Sequence, residues 1–162
     1  MWSPLLLFSV SVFWAAAVQA HGRPAKPNFT GKWNFNLAKS KLEIPPPTSS
    51  RFVVDHREPK FRLRRTHIYA ERSDTITVEF TTDGKESVQD FGERRARIRA
   101  HWEGTTLVAE MSVTAREGEG ANVVRYSLQD SGKTLVAVER FRSATLNYDN
   151  TWVFDRESRD PR

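Results

Sequence analysis

Four histidines, at His21, His56, His67 and His101, are the residues whose chemistry is easiest to name. No two of them share the spacing that places zinc ligands side by side on a helix or strand, so a zinc site is not expected. His21 is a special case. If a leader is removed after Ala20, His21 becomes the N-terminal residue, and its amine and ring nitrogen together chelate copper. A metal-dependent enzyme built on that terminus is one open reading, although square-planar copper needs further placed nitrogens. Nucleophile elbows, zinc-protease helices and phosphate-cradling loops are absent from the sequence, so hydrolase, protease and kinase chemistry has no motif behind it. Carboxylate pairs such as Asp90 and Glu93 are too common in a chain with 20 acidic residues to nominate an acid–base couple. No cofactor is expected.

The sharpest charge features are Arg62-Leu63-Arg64-Arg65 and Arg94-Arg95-Ala96-Arg97-Ile98-Arg99. Arg95, Arg97 and Arg99 share one face of an extended segment, and their planar forks suit phosphate or carboxylate. Such a face either docks on an anionic surface or is solvated and paired across strands, as between Arg97 and Glu110. Aromatic residues do not interleave with these arginines, which argues against a nucleic-acid platform.

The elements that must position these residues read as strands. The chain alternates in steps of two, with turn residues recurring about every ten positions. Strands are expected at 32–36, 51–57, 61–68, 75–82, 85–90, 94–102, 105–114, 122–129, 133–141 and 150–156, with one or two helical turns across Leu37 to Leu42 before Pro45-Pro46-Pro47. The expectation is an all-β, up-and-down antiparallel barrel of roughly 8–10 strands. A two-residue turn at Glu103-Gly104 would set Trp102 against Thr105, Ala100 against Leu107, Ile98 against Ala109 and Ala96 against Met111, all facing inward. The inward set elsewhere is Trp33, Phe35, Ile76, Val78, Phe80, Val124, Tyr126, Leu128, Trp152 and Phe154. Burying each such side chain contributes about 1.5–3 kcal/mol.

The 162 residues suit one domain, and the lack of cysteine leaves packing alone to hold it together. Residues 1–20 carry no charge and end in Val18-Gln19-Ala20, the pattern of a signal peptide cleaved after Ala20 and hence of a secreted or periplasmic protein. Residues 21–28 read as an extended lead-in, 29–157 as the barrel and 158–162 as a polar tail. Asn28-Phe29-Thr30 is a glycosylation acceptor only in a eukaryotic host. The net charge of +5 falls wholly after the leader.

Gly31-Lys32-Trp33 on the first strand, followed by Asn36-Leu37-Ala38-Lys39-Ser40-Lys41, resembles the start of lipocalin-like (calycin-type) secreted proteins, bacterial members of which often begin this way. The resemblance implies that Gly31 lets the chain enter the barrel tightly and that Trp33 plugs its closed end under an arginine from a late strand. Arg156 is the match for that arginine, with Arg140 second. Such a barrel implies a lumen that holds a small hydrophobic or amphipathic molecule, lined here by Phe80, Trp102, Met111, Tyr126 and Glu139. Glu139, sharing a face with Leu135, Ala137 and Phe141, either orients a guest or stands at the wet rim. The alternative is a side-chain-filled barrel that binds nothing inside and meets anionic surfaces through Arg95, Arg97 and Arg99.

Overall fold

The computed structural model describes residues 25–116 and 118–158. The leader reading, His21 and the last four residues of the tail lie outside them. Ten antiparallel strands run β1 (Gly31–Phe35), β2 (Ser49–Arg57), β3 (Lys60–Tyr69), β4 (Arg72–Thr81), β5 (Glu86–Phe91), β6 (Arg94–Glu103), β7 (Thr106–Ala115), β8 (Gly118–Gln129), β9 (Thr134–Ser143) and β10 (Asn147–Arg156). They form one sheet in the order β4-β3-β2-β1-β10-β9-β8-β7-β6-β5, so each strand pairs with its sequence neighbour and the first pairs with the last. This is the expected up-and-down barrel, closed through β1 and β10 and left with a seam between β4 and β5.

Alternation builds much of the wall. Along β2, Ser50, Phe52, Val54 and His56 are buried while the residues between them are exposed. Except for Thr105, which is exposed in a turn, the expected inward residues join a single core, in which Trp33, Ile98, Leu107 and Phe154 are fully buried and Phe35, Ile76, Val124 and Leu128 pack against it from partly buried positions. The seam is spanned by a side chain instead of a backbone ladder. Gln89 on β5 donates from Nε2 to the Thr77 carbonyl (2.7 Å) and accepts the Glu79 N–H at Oε1 (3.0 Å) on β4. One primary amide thus takes the place of a rung.

Two local expectations need correction. The β6–β7 hairpin pairs Glu103 with Thr106, Trp102 with Leu107, Ala100 with Ala109, Ile98 with Met111 and Ala96 with Val113. The two-residue turn is therefore Gly104-Thr105, with Gly104 at φ +60. Glycine at the first central position suits a turn that needs positive φ only there, whereas Glu103-Gly104 would have forced a glutamate into that region. Apart from Thr105, which moves into the turn, each inward residue keeps its face because the slip displaces its partner by two, but Arg97 now lies across from Ser112 and Arg99 across from Glu110. The helix expected over Leu37 to Leu42 is a single 3-10 turn, Leu37–Lys39, capped by the Asn36 side chain, because Lys41 instead pairs with Thr151 as an extension of the sheet.

Candidate functional site

The two ends of the barrel differ. At one end Phe29, fully buried, is seated by Trp33, whose Nε1 donates to the Phe29 carbonyl (3.0 Å), and by Trp102, stacked at 6.0 Å. The Arg156 guanidinium lies 4.0 Å from the Trp33 ring centroid and donates to the carbonyls of Thr30 (2.8 Å) and Gly132 (2.7 Å). Gly31 sits directly beneath it: a Cβ there would fall 2.5 Å from Arg156 Nη1. Arg140, the second choice, is on the outside and pairs with Asp149. Glu58 completes the closure by accepting from His56, Thr82, Lys26 and Trp102. Burial opposes its charge, yet these hydrogen bonds hold its carboxyl below the ordinary value.

The interior beyond this plug is hollow. A cavity of about 710 Å³ extends from Phe52, Leu63 and Tyr126 to the turns after Phe91, Ala115 and Ser143, where it opens. Its walls are largely apolar, with Ile76, Val78, Phe80, Met111 and Val113 among them. Phe80, Met111, Tyr126 and Glu139 are thus brought together on one lining. Trp102 is not on it. As the last inward residue of β6 before the Gly104 turn, it belongs to the closed end, where its Nε1 donates to Glu58 (3.0 Å).

Glu139 is partly buried on the lining of the cavity. Its Oε1 accepts from Asn122 (3.0 Å) and its Oε2 from Trp152 Nε1 (2.8 Å) and Asn150 (3.2 Å). Three donors offset the cost of taking this carboxylate out of water, which is why the group is tolerated there. Burial and then the Glu139 charge push both the Tyr126 and the Tyr148 phenols well above their usual value, so both remain protonated.

The opposite wall supplies Arg65 and His67 from β3. Arg65 Nη2 is paired with Asp74 (3.1 Å), while its Nε is buried without a partner among the described residues. His67 is 4% exposed, stacks on Trp152 at 5.2 Å and hydrogen-bonds Ser50 through Nδ1 (2.8 Å). Burial and then the Arg65 charge lower its pKa to about 4, so the ring is neutral at neutral pH. His56 is buried as well, accepting the Phe29 N–H at Nδ1 (3.3 Å) and facing Glu58. These two histidines are core residues; of the described three only His101 is well exposed. Among the described residues no cluster of three metal-ligating side chains occurs.

Arg65, His67, Asn122 and Tyr148 are the site residues that motif reasoning passes over. The signal for the first two was present: alternation puts them on the face of Phe61 and Leu63, whereas Arg62 and Arg64 point out. The arginine face of β6 is on the outer wall, where Arg95 pairs with Asp90 while Arg97 and Arg99 converge on Glu86.

No family model matches the chain, and no curated protein matches it in sequence. Solved structures do match. Secretory abundant heat soluble protein 4 from Ramazzottius varieornatus aligns over 83% of this chain and 98% of its own, at 14% identity and a TM-score of 0.57. A second secretory abundant heat soluble protein from that organism aligns over 79% and 94%, at 12% identity and a TM-score of 0.59. The ileal bile acid-binding protein of zebrafish, in complex with cholic acid, aligns over 80% and 98%, at 14% identity and 0.53. The fold is that of a calycin-type barrel. At these identities the likeness is one of architecture, and it agrees with the barrel class implied by Gly31, Trp33 and the strand pattern.

Proposed function

We propose that this chain is a non-enzymatic binding protein that holds a small, mainly apolar molecule in its lumen. The observation that carries the reading is the cavity of about 710 Å³, open at one end, apolar over most of its lining and furnished with a few fixed polar groups. That volume lies within the range of about 300–1,000 Å³ usual for small-molecule sites. A structural relative of the same architecture, the zebrafish protein, is a bile acid-binding protein complexed with cholic acid. Phe80, Met111 and Tyr126 would meet the apolar body of the guest, and Glu139 would act by holding Asn122, Asn150 and Trp152 in place. Gly31, Trp33 and Arg156 would serve as the plug that keeps the other end shut.

The test is titration with a neutral fluorophore that brightens in apolar surroundings, such as N-phenyl-1-naphthylamine, against wild type and Met111→Trp. Saturable enhancement in wild type, weakened at least about tenfold in a folded Met111→Trp, is the expected result. No enhancement in wild type, or equal binding by the variant, would refute it. The anionic-surface reading lacks comparable support, since Arg95, Arg97 and Arg99 already face Asp90 and Glu86. We further propose export, with removal of the leader after Ala20, which the intact mass of the mature protein from its own host tests.

A further inference from the structure

The polar equipment of the lumen is unbalanced in a way that narrows the guest. Two ionised side chains line the cavity away from its mouth, Arg65 and Glu139. Arg65 already has an anion, Asp74, at 3.1 Å. Glu139 makes no ion pair among the described residues; its donors are two asparagine amides and an indole. Arg65 is thus neutralised by a partner outside the lining, whereas the Glu139 carboxylate, on the lining itself, is met by neutral donors alone. The phenols of Tyr126 and Tyr148 are raised first by burial and then by the Glu139 charge, with Arg65 opposing. A carboxylate entering here would meet like charge where little water screens it.

Hydrogen-bonding capacity, by contrast, is left unused. Asn122 turns its amide nitrogen to Glu139, which fixes the orientation of the side chain and leaves Oδ1 as a buried acceptor without a partner. Arg65 Nε is a buried donor in the same condition. The Tyr126 hydroxyl, kept protonated, makes no hydrogen bond among the described residues. Neighbouring side chains cover the Asn122 and Arg65 atoms, so a guest reaches them by displacing those neighbours. Buried groups of this kind favour a partner that gives and accepts one hydrogen bond and brings no charge into the lumen.

We infer that the lumen selects an uncharged amphipathic alcohol, an apolar body carrying a hydroxyl group, over the corresponding carboxylate. This rests on the binding reading above and names its ligand class. The hydroxyl would donate to Asn122 Oδ1 or the Tyr126 oxygen and accept from Arg65 Nε or the Tyr126 O–H, while Glu139 disfavours the acid.

The experiment loads the full-length mature protein with N-phenyl-1-naphthylamine at neutral pH and displaces it with dodecanol, dodecanoate or dodecylamine. Dodecanol is expected to displace at a concentration at least about tenfold below dodecanoate. Glu139→Gln, with its fold checked by circular dichroism, is expected to shift the acid-to-alcohol preference toward the acid by about tenfold. If the probe binds but dodecanoate displaces as well as dodecanol, the inference is overturned and the binding reading stands. Dodecylamine displacing best would also overturn it, assigning Glu139 to a cationic guest. If wild type binds neither probe nor displacer, both readings fall together. The wild-type ratio decides the matter even if Glu139→Gln does not fold.

Discussion

Replacing Gly31 with alanine tests the closed end of the barrel most directly. The new Cβ would lie 2.5 Å from Arg156 Nη1, closer than a methyl group can approach a guanidinium nitrogen. A long side chain can often swing aside at little cost, but this one is pinned by the Thr30 and Gly132 carbonyls and by the Trp33 ring 4.0 Å away. Moving it sacrifices two charge-assisted hydrogen bonds, each worth about 1.5–3 kcal/mol, and a cation–π contact worth about 0.5–2 kcal/mol. Water at the half-buried guanidinium restores part of this. The expected net loss is about 2–4 kcal/mol, a large share of the ~5–15 kcal/mol that holds a domain together. Urea unfolding followed by tryptophan fluorescence measures it, in a cycle with Arg156→Ala and the double variant. Because both changes break the same contacts, the double variant should cost little more than either single one. A loss below about 0.5 kcal/mol for Gly31→Ala, or additive effects, would refute the claim that Gly31 exists to seat Arg156.

Other consequences can be checked alongside. His67 has its pKa lowered from 6.5 to about 4, so the unfolded chain takes up its proton first as pH falls. Stability should be level above pH ~7 and fall by about 3 kcal/mol between pH ~6.5 and ~4, a slope that His67→Leu reduces in the same urea assay. Gln89→Ala should raise the exchange rate of the Glu79 amide about tenfold by hydrogen–deuterium exchange, while amides of the β8–β9 ladder keep their protection. Glu139→Leu strands the donors of Asn122, Asn150 and Trp152 and should cost about 2–5 kcal/mol in thermal unfolding. Its Tyr148 phenol should also titrate at lower pH by ultraviolet absorbance.

Much of this architecture is legible in the residues because a barrel wall needs only alternation and turns. The core set from Trp33 to Phe154 follows from period two alone, and so does the inward position of Glu139. The β6–β7 turn lies one residue beyond the expected one, and every partner two, because Glu103-Gly104 and Gly104-Thr105 fit the same alternation and only the positive φ at Gly104 separates them. Arg65 was concealed by composition: within Arg62-Leu63-Arg64-Arg65 the charges look alike, and only their parity tells that the last one faces the lumen. The seam between β4 and β5 leaves no trace in composition, since Gln89 resembles any solvent-facing polar residue until its partners on β4 are known. His56 and His67 are buried by partners far along the chain, Phe29 and Ser50 among them, which local pattern does not reveal.

The pairing of Trp33 with Arg156 and of Phe35 with Phe154 joins the two ends of the folded chain. Every other ladder forms between consecutive strands and can zip as the polypeptide lengthens, but this one spans nearly the entire domain. During synthesis, then, a chain lacking its last ten residues is an open, curling sheet whose apolar face has nothing to enclose, and its N-terminal strand waits with one side bare. The step that seals the barrel is also the one with the greatest loop to close, which places it late and makes it slow. Loss of the chain from Phe154 onward would therefore trim far more than a tail: it would convert a container into a sheet with an adhesive edge.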